Sequence, residues 1–293
     1  MEQKTNQTKY NQHHKPQYYF TLNGFFRRCR QEYHYYTDRP WTLEQVGKFW
    51  DSVTDYDDVN SELYPYFRRF TNSFRLAKRF FPRNDYKMID IQARSGNATL
   101  FWHNKGKIKS SVCCDFSDYL ASLARNRIMP DISDEKTNKK LFCKFVKILN
   151  FPLPFKDKSF NLVCSYETVE HVYNYDAFIG EIARVMTLDG IMIVTCPNVA
   201  WEWVHWLTAA ININHSEGPH RFIARNKLLK SFRRNGLVVL RENTTIFLPF
   251  NNRLSIFFDK ALEKLLPEFI KCMVGLRRTF ILKKRSMTRN MVY

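Results

Sequence analysis

Glu167, Glu170 and His171 are the residues whose types and spacing most readily do chemistry. At i, i+3 and i+4 they share one face of a helical turn. Two carboxylates and an imidazole can hold a divalent cation such as Mg2+ or Mn2+ once water or another side chain completes the shell. A metal there would bind a substrate hydroxyl and lower its pKa, making an alkoxide-like nucleophile. Without a metal, His171 can act as a general base, the usual work of an imidazole near neutral pH. The plainer alternative is that Glu170 caps a helix and His171 packs beside a substrate.

Other segments carry polar groups at places where apolar runs end. Met88-Ile89-Asp90-Ile91 passes through Gln92-Ala93-Arg94-Ser95-Gly96 into a helix-like stretch. A second run ends at Cys114-Asp115-Phe116-Ser117, and Leu153-Pro154-Phe155 leads into Ser159-Phe160-Asn161-Leu162-Val163. Glu181-Ile182-Ala183-Arg184-Val185-Met186 then runs through Asp189-Gly190 to Thr195-Cys196-Pro197-Asn198.

The elements that must position these groups follow from hydrophobic period. Residues 1 to about 40 are polar and rich in Tyr, Asn, Gln and His, a loosely ordered extension given some structure by Tyr18, Phe20, Phe25 and Phe26. Thr42 and Gln45 form a capping box that opens a helix carrying Val46, Phe49 and Trp50. A second helix runs from about Ser61 to Phe81, with Phe67, Phe70, Phe74, Ala77 and Phe81 at helical spacing. After Pro82 short apolar runs alternate with helical stretches, as strands do in a parallel sheet buried on both faces. The strands are Lys87–Ile91, Lys109–Cys114, Phe142–Lys147, Phe160–Ser165 and Ile191–Cys196, followed by Leu237–Arg241 and Arg278–Lys283. Helices fall at Ala98–His103, Ser117–Arg127 and Ala177–Met186, and Asn226 caps another that stops at Gly236. Asp131–Lys140 is a charged loop, and Leu254–Val274 is amphipathic. The result is an α/β, doubly wound architecture, in which ligands bind at the carboxyl ends of the strands.

Composition narrows the class. The chain has 293 residues, 44% of them apolar, enough for a sizeable buried core. Seven cysteines without a C-x-x-C pair exclude a disulfide framework, a zinc ribbon and a thioredoxin-type site. Cys164, inside a strand, reads as an inert buried thiol. The longest apolar stretch, Ile191 to Ile211, carries Pro197, Asn198, Glu202 and His205 and is no membrane span. The first residues lack an apolar signal-type segment, so a soluble, cytoplasmic protein of a reducing compartment is expected. Within the apolar stretch Trp201, Trp203 and Trp206 line a pocket or lid, or pack as core. The net charge of +18 is clustered, with no acid from Phe67 to Arg83 or from Arg221 to Arg241. Such a surface suits nucleic acid, anionic lipid or phosphorylated glycan, or is simply a solvated face.

The ordered set of segments resembles the class I S-adenosylmethionine-dependent methyltransferases, more narrowly the methyltransferase type 11 and ubiquinone-pathway O-methyltransferases, over about Tyr86 to Arg241. The resemblance implies a Rossmann-like, doubly wound, mostly parallel seven-stranded sheet with an N-terminal helical extension and a helical insertion before the last strand. It divides the chain into a polar extension (1–40), a helical lid segment (41–82), the methyltransferase domain (83–285, insertion about 251–274) and a basic tail (286–293). It implies S-adenosylmethionine as cofactor. Asp115 would then accept hydrogen bonds from the ribose hydroxyls, and Asp90 would order the loop near the amino-acid end. Gly96 would let backbone approach the cofactor, Asn150 or Leu149 takes the place of an adenine-binding acid, and Ser165 joins the cofactor-facing set. The departures are Gln92 and Arg94, which stand where the family has glycine. Their side chains fill the space of the methionine moiety, or Arg94 pairs with its carboxylate. The E-x-x-E-H set also resembles that of plant small-RNA 2′-O-methyltransferases, where a further histidine completes the metal site; here His220 stands in that general place, and His215 is a weaker substitute. His171 or His220 would otherwise be the base.

The expected activity is O-methylation of a small-molecule, glycan or lipid-linked acceptor, an anionic one given the charge, with peripheral contact to an anionic membrane. A metal-dependent RNA 2′-O-methyltransferase and a degenerate, non-catalytic binding fold are the alternatives.

Overall fold

The computed structural model describes residues 21–37, 40–53, 56, 60, 63–132, 142–211 and 216–285. The expected order of residues 1–20, most of the loop over 131–140, the tail 286–293 and His215 lie outside the described residues.

Among the described residues three α-helices precede the sheet: α1 (Leu22–Thr37), α2 (Leu43–Asp51) and α3 (Tyr64–Ala77). The α1 segment, expected to be loose, is helical. It leans on a later helix, where Arg28 Nε donates to the Ala210 carbonyl at 2.7 Å. Its own sequence lacks a strong apolar stripe, so the order is supplied by that contact. The capping box that opens α2 forms as expected, with Gln45 N donating to Thr42 Oγ1 and Thr42 N donating to Gln45 Oε1. On α3, Pro65 occupies the first turn, where its missing N–H costs nothing. Phe70, Ala77 and the following Phe81 are buried against the sheet.

Then β1 (Tyr86–Ile91), α4 (Asn97–Asn104), β2 (Ile108–Asp115), α5 (Asp118–Ile132), β3 (Phe142–Lys147), β4 (Phe160–Tyr166) and α6 (Tyr175–Val185) alternate. They are followed by β5 (Met186–Pro197), α7 (Glu202–Ala210), α8 (Arg225–Arg234), β6 (Leu237–Thr245), α9 (Arg253–Leu265), α10 (Glu268–Val274) and β7 (Arg277–Lys284). The seven strands lie in the order β3-β2-β1-β4-β5-β7-β6. All neighbours are parallel except β7, which runs antiparallel to β5 and β6. The strand order reverses between β1 and β4, the crevice where this architecture binds ligands.

Three local expectations shift. The helix predicted to end at Met186 stops at Val185, and β5 starts there; a register irregularity between Phe160 and Leu162 opposite it absorbs Leu188–Gly190. Asn226 is not the cap of α8. Ala224 holds that place, and the Asn226 side chain meets only the Lys227 N–H beside it. The Leu254–Val274 segment breaks into two helices at Pro267, which cannot continue α9.

Candidate functional site

The loop from β1 to α4 keeps a glycine-loop backbone with only one glycine left. Gln92, Arg94 and Gly96 have φ of 54°, 52° and 78°, all in the left-handed region. For a non-glycine residue that region costs roughly 1–2 kcal/mol, so surrounding bonds must hold it. They do: Arg94 N donates to Asp115 Oδ2 at 2.6 Å, and Ala93 N donates to the Cys114 carbonyl at 2.9 Å. A Cβ at Gly96 would meet Ile128 at 2.7 Å and Ala124 at 3.1 Å. The glycine therefore lets α5 pack closely against this loop.

The Arg94 side chain turns inward. Its Nη1 donates to the Tyr56 hydroxyl at 3.1 Å, and its Nη2 donates to the Glu167 carbonyl at 2.9 Å and lies 3.3 Å from His171 Nε2. The guanidinium stacks 4.6 Å above the Trp50 ring. Asp115 is buried, with Oδ1 accepting from Ser117 N at 2.9 Å while Oδ2 holds Arg94; burial pushes its carboxyl up to about 6. Helix α2 seals this end of the sheet. Gly47 sits so close to Phe116 that a Cβ would fall 2.1 Å from its carbonyl oxygen. Asp51 accepts from Ser117 Oγ at 2.6 Å and Tyr119 N at 3.1 Å, closing the first turn of α5. Asn150 is exposed beyond β3.

Between β1 and β4 the protein leaves polar atoms without partners. Asp90 accepts from Thr99 Oγ1 at 2.8 Å through one oxygen, but its Oδ1 is buried and unbonded. Both amide atoms of Gln92 and the Ser165 hydroxyl are in the same condition. Burial, reinforced by the charge on Asp115, pushes Asp90 up to about 7. Each orphaned buried group costs about 1–3 kcal/mol, so a polar ligand group at this point has donors and acceptors waiting. That set fits the amino-acid end of S-adenosylmethionine.

On the other side of Arg94 lies a cavity of about 360 Å3 at the carboxyl ends of β4 and β5 and the amino end of the antiparallel β7. Tyr66, Phe222 and Trp201 supply aromatic wall, and Arg69 and Arg277 bring positive charge. Arg69 is buried, stacks 4.0 Å above Tyr66, and has an Nε with no hydrogen-bond partner. Arg277 Nε lies 3.1 Å from Glu167 Oε2, and its Nη1 donates to the Pro65 carbonyl at 2.7 Å. Trp201 donates its Nε1 to the Val274 carbonyl, whereas Trp203 and Trp206 face outward.

The helical turn expected to align Glu167, Glu170 and His171 does not form. Glu167 is left-handed at φ 52°, and only Val169–His171 make a single 3-10 turn. The i, i+3, i+4 face therefore never exists. Among the described residues no group of three or more His, Cys, Asp or Glu is arranged to hold a metal ion. The expected ligands have other surroundings: Glu167 faces Arg277, and Glu170 is buried, its carboxyl held well above the usual range by burial and by Glu167. His171 Nδ1 lies 3.2 Å from the Pro219 carbonyl, so it carries the proton, and Nε2 faces Arg94. Burial and the Arg94 charge push this imidazole down to about 3. His220 is different. Its Nδ1 sits 2.8 Å from the Gly218 carbonyl, leaving Nε2 as the lone-pair nitrogen on a half-buried ring at the cavity wall.

Residues 89–194 match the family described as methyltransferase domain. Over this third of the chain the sequence is similar to a methyltransferase domain. Within this domain lie the β1 loop, Asp115, Ser165 and the Glu167–His171 turn, while α2, His220 and Arg277 come from flanking segments. The domain is 29% identical over 108 residues to a ubiquinone biosynthesis O-methyltransferase of Bradyrhizobium sp. (strain ORS 278), covering 34% of this chain and 42% of that protein. The corresponding protein of Nitrobacter winogradskyi is 26% identical over 111 residues, 34% of this chain and 41% of it. The chain thus spans about two fifths of the length of these curated relatives. Among solved structures, the [4+2]-cyclase SpnF superposes with a TM-score of 0.60 at 15% identity, over 84% of this chain and 97% of that one. The geranyl diphosphate C-methyltransferase of Streptomyces coelicolor A3(2), solved with Mg2+, a substrate analogue and S-adenosyl-L-homocysteine, gives 0.55 at 13% identity, over 83% and 98%. At such identities the likeness is one of fold alone, and a cyclase and a C-methyltransferase share that fold.

Sequence reasoning missed Arg69, Arg277, Tyr56 and Trp50 as parts of this site. A signal existed for Arg69, which shares a helical face with Tyr66 and Ser73, both turned inward.

Proposed function

We propose that this chain transfers the methyl group of S-adenosylmethionine to an oxygen of a small-molecule, glycan or lipid-linked acceptor held in the 360 Å3 cavity. The observation that carries the reading is the placement of His220. Its lone-pair nitrogen borders a cavity that shares Arg94 with the cluster of unpartnered polar atoms on β1 and β4. When bound, the cofactor supplies a methyl group made electrophilic by its sulfonium. Asp90, Gln92 and Ser165 would hold its amino-acid end, and Asp115 its ribose once α2 lifts. His220 takes the proton of the acceptor hydroxyl, a role for which His171, bonded by Arg94 and Pro219, is less free. Arg69 and Arg277 favour an acceptor with an anionic group, and Tyr66 and Phe222 favour a flat or apolar body. The relatives named as O-methyltransferases support oxygen as the acceptor atom.

A second reading, a fold that no longer takes the cofactor, is favoured by the seating of α2 on Phe116. Calorimetric titration with S-adenosylmethionine, with Mg2+ and then with a chelator, separates the two. Micromolar binding that survives the chelator supports the methyltransferase; absence of heat in every condition supports the second reading.

A further inference from the structure

Helix α9 is built inside out. Its one fully buried residue is Asp259, which accepts from Phe247 N at 2.6 Å, Leu248 N at 3.2 Å and the Tyr64 hydroxyl at 3.2 Å. Glu263, one turn on, is bound by Arg68 and Arg75. The acids of the helix thus face the protein and its apolar side chains face away: Phe257 is 65% exposed and Leu265 77%. Helix α10 repeats the inversion, with Lys271 its buried residue and Phe269 and Met273 68% and 66% exposed. In water such a face has no reason to be retained; large contiguous apolar exposure marks a surface that is covered in use.

The face continues past the cavity mouth. Trp201, which lines the cavity, is tied to α10 through Val274, and the outward side of α7 presents Trp203 and Trp206. The charge that remains on α9 is of one sign. Arg253, Lys260 and Lys264 are exposed, while both acids are engaged inward. Outward Phe, Leu and Trp bordered by Arg and Lys are the pattern of a helix lying in a bilayer interface, its rings among the acyl chains and its cations among anionic headgroups. Among the described residues no helix is long and apolar enough to cross a membrane, so the contact is in-plane.

We infer that α9, α10 and the outer side of α7 form a docking face for an anionic lipid bilayer, which brings the mouth of the cavity to the membrane surface. The docking stands on its own; its consequence, that the methyl acceptor is lipid-borne, rests on the methyltransferase reading.

The test uses the full chain without cofactor, so that failure of docking and failure of methyl transfer are read separately. Co-sedimentation is measured with phosphatidylcholine vesicles containing about a third phosphatidylglycerol, and with phosphatidylcholine alone. The expected result is at least about tenfold stronger partition onto the anionic vesicles, weakened by salt. The combined variant Phe257→Ser, Leu265→Ser and Phe269→Ser should lose about tenfold or more of that partition while keeping the wild-type melting temperature, since these side chains support no core. Lys260→Glu with Lys264→Glu, which leaves the apolar face intact, should lower binding to anionic vesicles alone. Absence of vesicle binding, or binding indifferent to both variants, overturns the proposal. So does a dimer in sedimentation velocity that the serine variant dissociates while vesicles are not bound, because a second copy then covers the face.

Discussion

The two halves of the crevice at the carboxyl edge of the sheet are finished in opposite ways. Over β1 and β2 the protein fills the space with its own side chains: Trp50, Tyr56 and Arg94 are buried, and α2 rests on backbone. Over β4, β5 and β7 it leaves a cavity whose walls carry arginines, histidines and aromatic rings. The filled half holds two non-glycine residues in the left-handed region and the open half one, Glu167, and both leave buried polar atoms without partners. What separates them is closure: the first half is held shut by one short helix, whereas the second stands as a cavity. The difference teaches that at one end of the crevice the chain's own side chains take the space that at the other end is left as a cavity.

The largest expected effect breaks the open half. His220→Ala should reduce acceptor-dependent turnover by about a hundredfold to ten-thousandfold while cofactor titration is unchanged. Turnover that survives would remove His220 from the chemistry.

Asp90 tests the filled half through pH. Its folded pKa of about 7 lies above the unfolded value, so between those values the folded state holds more protons than the unfolded state. Its contribution to stability is therefore complete below about pH 4 and is lost as pH rises through 7. His171, pushed down to about 3, works oppositely, since its unfolded form gains a proton as pH falls below 6.5. Urea melts of wild type and Asp90→Asn at pH 5 and pH 8 isolate the first contribution. Wild type should lose on the order of a few kcal/mol relative to the variant on going to pH 8. An equal pH response in the two proteins would show that Asp90 ionises normally.

Gly47→Ala drives a methyl group into the Phe116 carbonyl and should force α2 off the sheet. We expect a loss of about 1–3 kcal/mol in stability together with tighter S-adenosylmethionine binding by calorimetry. Destabilisation with weakened binding would mean that α2 completes the cofactor site instead of covering it. The smallest effect is at Gln92. Gln92→Gly relieves the left-handed φ and removes an unpartnered amide, at the expense of some packing, and should stabilise the fold by roughly 1 kcal/mol. A destabilised variant would show that the amide is satisfied in solution.

Much of the sheet was legible because its signals are local. Residues 142–147 and the capping box at Thr42 need only near neighbours to be recognised. The ends of elements were less so: Met186 continues a helical pattern but takes β dihedrals because β4 offers it a partner. The candidate site was legible as a set of positions but not as a set of roles. Glu167, Glu170 and His171 do lie together at the cavity wall. Their spacing suggested a helical face, but the chain leaves β4 through a left-handed residue, and a face defined by i, i+3 and i+4 vanishes with the helix. Arg69 and Arg277, more than two hundred positions apart in the chain, meet at one cavity only because α3 and β7 pack together.

By itself the sequence determined the alternation of strand and helix, the ends of most strands and the placing of polar groups beyond them, since period and capping act over a few residues. Only the tertiary structure decided that Arg94 turns inward onto Trp50 and that α2 seats on Phe116. It alone decided that Phe257 and Leu265 point away from the core. An amphipathic period says that a helix has two faces; which one is buried depends on what Asp259 and Glu263 find opposite them, and the backbone N–H groups of Phe247 and Leu248 with Arg68 and Arg75 made the polar face the inner one.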